Sequence, residues 1–422
     1  MSSIWRAIVP STIKAIEQYH KEIMSDIIEN LTNNEWRVRI SCCNALSEVL
    51  KANVNLNLAE CASELWAKLF RVMDDIHEGT RLAATNTSKV LSKICVRHSS
   101  TSHGKEGERV IHAILPVLLD VGVIHPLGTV RSVSLQTVSE LVVAAGPLLK
   151  PYLVTLIPAL LNTIGESESP ELSYLNNIYS GTQETQEVID SVRASVAKGH
   201  YASETITKCV QYIDADILKD LMPKVIELIK CSIGFGTKIA CSQFLMILSI
   251  HAKEDLKPHA GKVLTALTNG LTDRNTAVRK HTALAIGHVV ASAKESNLDK
   301  LFNTLNSWYM EREDDSSRLA IGQTLQAINN YHQEILKNYS DIVLPLTFFA
   351  MHAKKVPENE TSVELWTDLW NDISPDTKNG IKQHLEQITN ILRVSLESAS
   401  WTTKVQAANA VHTIAKKLRS TK

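Results

Sequence analysis

Asp273 and Arg279 stand six residues apart in "GLTDRNTAVRKHTALAIGHV", and an acid beside a fixed cation is a pairing that catalytic sites use. In the same stretch His281 and His288 are seven apart, near one helix face, and imidazoles so placed can ligate zinc. A zinc site needs two more ligands than this stretch supplies. Upstream, "GFGTK" at 234–238 has the glycines of a phosphate loop but neither the GxxxxGK[ST] spacing nor a strand before it. Its glycines read instead as an inter-helix turn. Serine, histidine and aspartate are plentiful, yet no GxSxG elbow presents a nucleophile. The seven cysteines, Cys42, Cys43, Cys61, Cys95, Cys209, Cys231 and Cys241, are odd in number, scattered and without a CxxC pair, as reduced packing residues are. The sequence therefore predicts no enzyme, no cofactor and no metal.

The elements that carry these residues explain them better. Taking Val278 as position zero, Thr282, Ala285, Ile286 and Val289 fall at offsets 4, 7, 8 and 11, one face of a helix. Counted from Val38 the same offsets give Cys42, Ala45, Leu46 and Val49; from Val130, Ser134, Thr137, Val138 and Leu141. Thr237, Ser317 and Thr403 open three further copies, the last with Ala407, Ala410, Val411 and Ile414 inward. A basic residue follows position zero each time, at Arg39, Arg131, Lys238, Arg279, Arg318 and Lys404, with looser copies at Arg81 and Arg193. In chain order these are separated by roughly 42, 50, 62, 45, 41, 39 and 86 positions, the last about two units, which is the period of helical-pair repeats. Recurrence at one place in every unit predicts a structural ladder, with each basic group beside acidic or polar turn atoms of its neighbour; Asp273 belongs to it. A stripe for binding phosphate is the competing reading.

The partner helix of each unit lies upstream, where "ILPVLLD", "LIPALLN", "LMPKVIEL" and "VLPLTFF" place Pro116, Pro158, Pro223 and Pro345 inside apolar runs and predict kinks there. Pro116 precedes Arg131 by the same step as Pro223 precedes Lys238. That step taken from Pro345 lands on Glu360, so "ENETSVELWTDLW" reads as a repeat with acids in place of its basic residue. Strand signals are weak. The fold class is thus all-α, an α-solenoid of about nine HEAT-like helix pairs in one array over 1–422, near 11–51, 58–97, 108–146, 147–213, 216–252, 255–293, 298–334, 335–374 and 381–419.

Two interruptions break the period. The fourth unit carries an insertion at 165–187, an acidic stretch whose Tyr174 and Tyr179 make it either a tolerated excursion or a partner-docking loop. Residues 98–108, "HSSTSHGKEGE", read as a flexible connector. Trp366 and Trp370 are i and i+4, on one helical face, and are either core or an exposed partner anchor. Trp36 and Trp401 each stand three residues before the repeated basic position, a placement that favours structure.

Composition narrows the partner classes. With 422 residues, 44% of them hydrophobic, the chain has ample core material, and its formal net charge of −1 is unlike a surface built to neutralise nucleic-acid phosphates. No apolar run approaches the roughly 20 residues that a membrane-spanning helix needs, and "MSSIWRAIVP" is no signal peptide. A cytoplasmic location is expected, with nuclear or membrane-peripheral pools allowed. Both ends, "SSIWRAIV" and "AVHTIAKKLRSTK", lack the polar capping helices that close a solenoid and predict exposed apolar ends.

The runs "LFRVMDDIHEGTRLAA", "GLTDRNTAVRK", "NSWYMERED" and "LWTDLW", followed by "SWTTKVQAANAVHTIAKK", resemble the C-terminal part of the HEAT-repeat proteasome adaptor and scaffold family, collinearly along nearly the whole chain. The resemblance implies a non-enzymatic scaffold that binds 26S proteasome subunits, steadies core and regulatory particles together, and links them to membranes, motors or quality control. It also implies a longer parent chain. A HEAT-type carrier or phosphatase scaffold, with other protein cargo, is the alternative the solenoid allows.

Overall fold

Several helices start where a short polar turn offers a side-chain oxygen or nitrogen to the first free amides. Asp214 accepts from the Ile217 amide at 3.1 Å, Asn275 from Ala277 and Val278 at 2.9 and 3.1 Å, and Asp314 from Ser317 at 2.8 Å. The computed structural model describes residues 12–52, 57–166, 201–232, 234–356, 360–374 and 377–419.

Helices run as α1 (Thr12–Asn30), α2 (Trp36–Lys51), α3 (Leu58–Met73), α4 (Glu78–His98), α5 (Gly104–Val117), α6 (Gly128–Ala145), α7 (Leu153–Glu166) and α8 (Tyr201–Val210). They continue as α9 (Ala215–Cys231), α10 (Phe235–His251), α11 (Lys253–Gly270), α12 (Thr276–Val289), α13 (Glu295–Glu311) and α14 (Asp315–Asn338). The rest are α15 (Ser340–Ala350), α16 (Glu360–Ile373), α17 (Thr377–Gln383), α18 (Leu385–Glu397) and α19 (Trp401–Arg419). No strand occurs among the described residues. The class is an all-α stack of helix pairs, and its contacts fall into two compact units, residues 1–163 with 199–213, and 164–198 with 214–422.

In the first unit the leading helices α1, α3 and α5 stack in one row and the trailing helices α2, α4, α6 and α8 in another. The second unit repeats this, with α9, α11, α13, α15 and α18 in one row and α10, α12, α14 and α16 in the other; α19 packs on α15, α17 and α18. The repeated apolar face fills the space between rows. Ser134, Thr137, Val138 and Leu141 are all fully buried, and Ala285, Ile286 and Val289 likewise. The face fails at two places: Ala45 is exposed and Val411 is 42% exposed, because each stands on an outer helix of its unit.

Three other expectations change. The prolines do not break their helices: the non-helical residues inside described helices are Tyr19 in α1 and His332 in α14. Pro116 and Pro223 are exposed, so the carbonyl each leaves unbonded can turn to water, and only Pro116 is followed by a π-turn, at Leu118–Gly122. Residues 98–108 are not a loose connector; a 3-10 turn at Thr101–His103 leads directly into α5. Finally, the stretch Gly128–Gly165 is apolar and long enough to cross a bilayer by composition. It folds as α6, a 3-10 turn at Gly146–Tyr152 and α7. Gly146, at the close of α6, has a positive φ that a side chain would strain.

Candidate functional site

The recurring basic residue and the turn before it form one structural device. Arg39 Nη1 donates to the carbonyls of Asn33 and Asn34 at 2.7 and 2.8 Å, and Arg81 Nη1 to those of Asp75 and Ile76 at 2.9 and 2.8 Å. Arg131 reaches His125 and Pro126, both at 2.7 Å, and Arg279 reaches Asp273 and Arg274 at 2.7 and 3.0 Å. Each guanidinium therefore closes its own inter-helix turn by bridging the carbonyls six and five residues back. A planar fork can hold two acceptors at once, which a lysine ammonium does less specifically. The Asp273–Arg279 pair that suggested chemistry is such a clamp, made to a backbone oxygen.

The residue six before each clamp has a second role, because its side chain accepts the amide two residues on. Asn33 accepts from Glu35 at 3.0 Å and Asp75 from His77 at 2.8 Å. His125 accepts from Leu127 at 3.1 Å and Asp273 from Asn275 at 2.9 Å. Where that residue is an aspartate it also takes the basic group of the preceding unit. Asp75 lies 2.7 Å from Arg39 Nε and accepts from Nη2 at 3.0 Å, with side chains only 10% and 16% exposed. Asp273 accepts from Lys238 at 2.8 Å. The neighbour contacts of the ladder are thus made at Arg39 and Lys238. Arg318 differs: it is 7% exposed, its Nε donates to the Arg312 carbonyl at 3.1 Å, and its guanidinium sits 4.9 Å from the Tyr309 ring centre. Lys404 has no ion pair among the described residues. Arg193, Tyr174 and Tyr179 lie outside the described residues, as does the 165–187 insertion beyond α7.

Burial pushes the Asp75 carboxyl up, but Arg39, the His77 amide and their charges more than offset it, so its pKa lies below the ordinary carboxylate value. A depressed carboxylate stabilises fully above its unfolded pKa, and that stability is lost as pH falls through the lower folded value. Asp75→Asn is therefore expected to cost roughly 1–3 kcal/mol near neutral pH. In urea melts the difference from wild type should shrink once the medium is more acidic than the ordinary aspartate range; a constant difference down to strong acid contradicts the pairing.

The tryptophan pair is core. Trp366 and Trp370 are each 1% exposed, with Tyr309 edge-on to Trp366 at 5.3 Å and Phe348 edge-on to Trp370 at 5.2 Å. Neither can serve as a partner anchor, because no surface remains to offer. With Ser362 as zero they fall at offsets 4 and 8, and Leu369 at 7, so α16 follows the common template. The position that is basic elsewhere holds Val363, 5% exposed, rather than an acid; Glu364 and Asp368 stand on the exposed side. Trp36 stacks on His77 of the next pair at 4.1 Å, whereas Trp401 is 77% exposed.

The remaining candidates are structural too. His281 is buried with Nδ1 2.9 Å from the Ala277 carbonyl, and His288 stacks on Tyr331 at 3.9 Å. Burial pushes the Cys43, Cys95, Cys209 and Cys241 thiols up to about 12, where a thiolate nucleophile is not formed. What the described surface offers is a series of inter-helix turns and the exposed sides of stacked helices, an arrangement for contacting other proteins.

Stacked two-helix units, clamped by an arginine at four of their turns, define a HEAT-repeat protein. Within that class, residues 149–310 match the HEAT-repeat domain of the proteasome adapter and scaffold protein ECM29. The chain is 43% identical over its whole length to a Drosophila melanogaster proteasome-associated protein ECM29 homolog, and 39% identical to the Homo sapiens proteasome adapter and scaffold protein ECM29. It is 25% identical over 97% of its length to a Saccharomyces cerevisiae proteasome component ECM29. The resemblance to the proteasome adaptor family therefore holds collinearly along the chain, which spans 22–23% of the length of these three relatives. Among solved structures, a mutant of the karyopherin Kap121p matches with a TM-score of 0.51 at 14% identity, covering 97% of this chain and 40% of that one. That likeness concerns the fold alone.

Proposed function

We propose that the chain is a non-enzymatic segment of a scaffold that binds the 26S proteasome, helps hold core and regulatory particles together, and connects them to other cellular components in the cytoplasm. The observation that carries this reading is 43% and 39% identity, without loss of coverage, to proteins named for proteasome association. The architecture supports it: most of the recurrent basic residues close turns or join neighbours, so binding falls chiefly to the exposed sides of the helices and to the turns.

Affinity-tagged chain expressed in cells and recovered under gentle conditions is expected to bring down both core-particle and regulatory-particle subunits, enriched at least tenfold over a tagged HEAT-repeat control of similar size. Recovery of other proteins with proteasome subunits at the control level overturns the reading for this segment.

A further inference from the structure

The Arg81 rung has no acidic acceptor in the next unit. Arg81 clamps its own turn with Nη1 as Arg39 does, but the residue in the register of Asp75 one unit on is His125. Where Asp75 offers the preceding arginine a carboxylate, His125 offers none. Its Nδ1 accepts the Leu127 amide at 3.1 Å. In the neutral ring this leaves the proton on Nε2, so the side chain faces its surroundings as a donor. Among the described residues, Arg81 Nε and Nη2 and His125 Nε2 have no hydrogen-bond partner. The edge of Arg81 that corresponds to the one gripping Asp75 on Arg39 is thus left without an anion.

Arg81 is half-buried, yet the edge that carries Nε and Nη2 stays open to solvent, where an incoming carboxylate can reach it. Exposed aliphatic side chains stand close to the rung along the chain. Ile76 is fully exposed, Leu82 62%, Ile124 58% and Val121 44%, and these belong to the two turns and helix starts that flank the rung. Guanidinium edges bind carboxylates bidentately, and two donors flanked by exposed isoleucine, leucine and valine match one kind of occupant.

We propose that the Arg81–His125 rung is a docking site for an aspartate or glutamate side chain of a partner protein, carried on a short extended segment with aliphatic residues on either side. The partner carboxylate takes the place that Asp75 occupies on the rung before, completing the ladder in trans. The proposal does not depend on which assembly the chain serves.

The test uses the full chain and a fluorescein-labelled Gly-Ile-Glu-Ile-Gly peptide, followed by fluorescence anisotropy. Saturable binding is expected, about tenfold weaker or more for Arg81→Gln, and equally weakened when the peptide glutamate is replaced by glutamine. His125→Asp is the decisive variant: it supplies the acceptor from within the chain, so it should raise the melting temperature while abolishing peptide binding. That variant remains informative because it gains stability rather than losing it. No saturable binding, binding unchanged in His125→Asp, or equal affinity for the glutamine peptide each overturns the proposal; so does a phosphoserine peptide binding more than tenfold tighter than the glutamate one, which would assign the rung to phosphate.

Discussion

Replacing Trp366 with alanine is expected to lower the unfolding free energy of the second unit by about 3–5 kcal/mol, the largest single-residue effect in the chain. The side chain is 1% exposed and sits where two repeats meet. Tyr309 of α13 stands edge-on at 5.3 Å, and Gly322 of α14 leaves room for the indole, since a Cβ there would come within 3.0 Å of Cε2. Truncation opens a cavity that α13, α14 and α16 cannot all close at once, because each is held by its other neighbour. Trp366→Phe is the control. Indole Nε1 is buried with no acceptor, so its loss removes no hydrogen bond, and the smaller ring should recover well over half of the effect. Chemical denaturation of both variants followed by circular dichroism gives the comparison. An alanine variant within about 1 kcal/mol of wild type contradicts the packing.

Gly287→Ala carries a prediction of opposite sign to the ordinary rule. In a helix interior that change normally stabilises by about 1 kcal/mol. Here a Cβ on α12 would lie 2.7 Å from Ala327 Cβ and 2.9 Å from its carbonyl carbon on α14. The obstacle is partly backbone, so no rotamer relieves it and the helices must separate, at a cost of roughly 1–3 kcal/mol. Adding Ala327→Gly should restore part of the loss, since it removes the nearer contact and leaves the backbone one. Thermal melts of the single and double variants decide it; a stabilised single variant means that the two helices are not in contact at this point.

Much of this was legible as period. The offsets counted from Val278 and Thr237 name residues buried in α12 and α10, because a buried helix face repeats with the helix itself. Arg81 looked like a looser copy only because Thr87 and Ser88 hold offsets 7 and 8. Both are buried, with Thr87 bonded to the Cys43 and Ala83 carbonyls and Ser88 to Met73 sulfur, so hydroxyls do there what aliphatic groups do elsewhere. Proline spacing carried forward to Glu360 gives the wrong register for α16, whose buried face starts at Ser362. Counting from Ser362 would have placed both tryptophans inside. The clamps could not be read at all: their acceptors are main-chain carbonyls, which every sequence possesses, and only coordinates reveal that four arginines choose the same pair. For the same reason the unmet edge of Arg81 has no signal except the histidine at 125, which stands out only once Asp75 and Asp273 show what that position does.

The hydroxyls between the helix rows have a thermal consequence. In the first unit Thr80, Thr87, Ser88, Ser134 and Thr137 lie at inner positions, all at most 1% exposed. Opening such a core wets polar groups along with apolar ones, and the two contribute to the heat capacity with opposite signs. The increment on unfolding is correspondingly smaller than for the same helices lined with valine and alanine, and the stability curve is flatter. Warming or cooling away from the optimum then erodes the first unit slowly, so its margin is spread over a broad span of temperature instead of peaking at one.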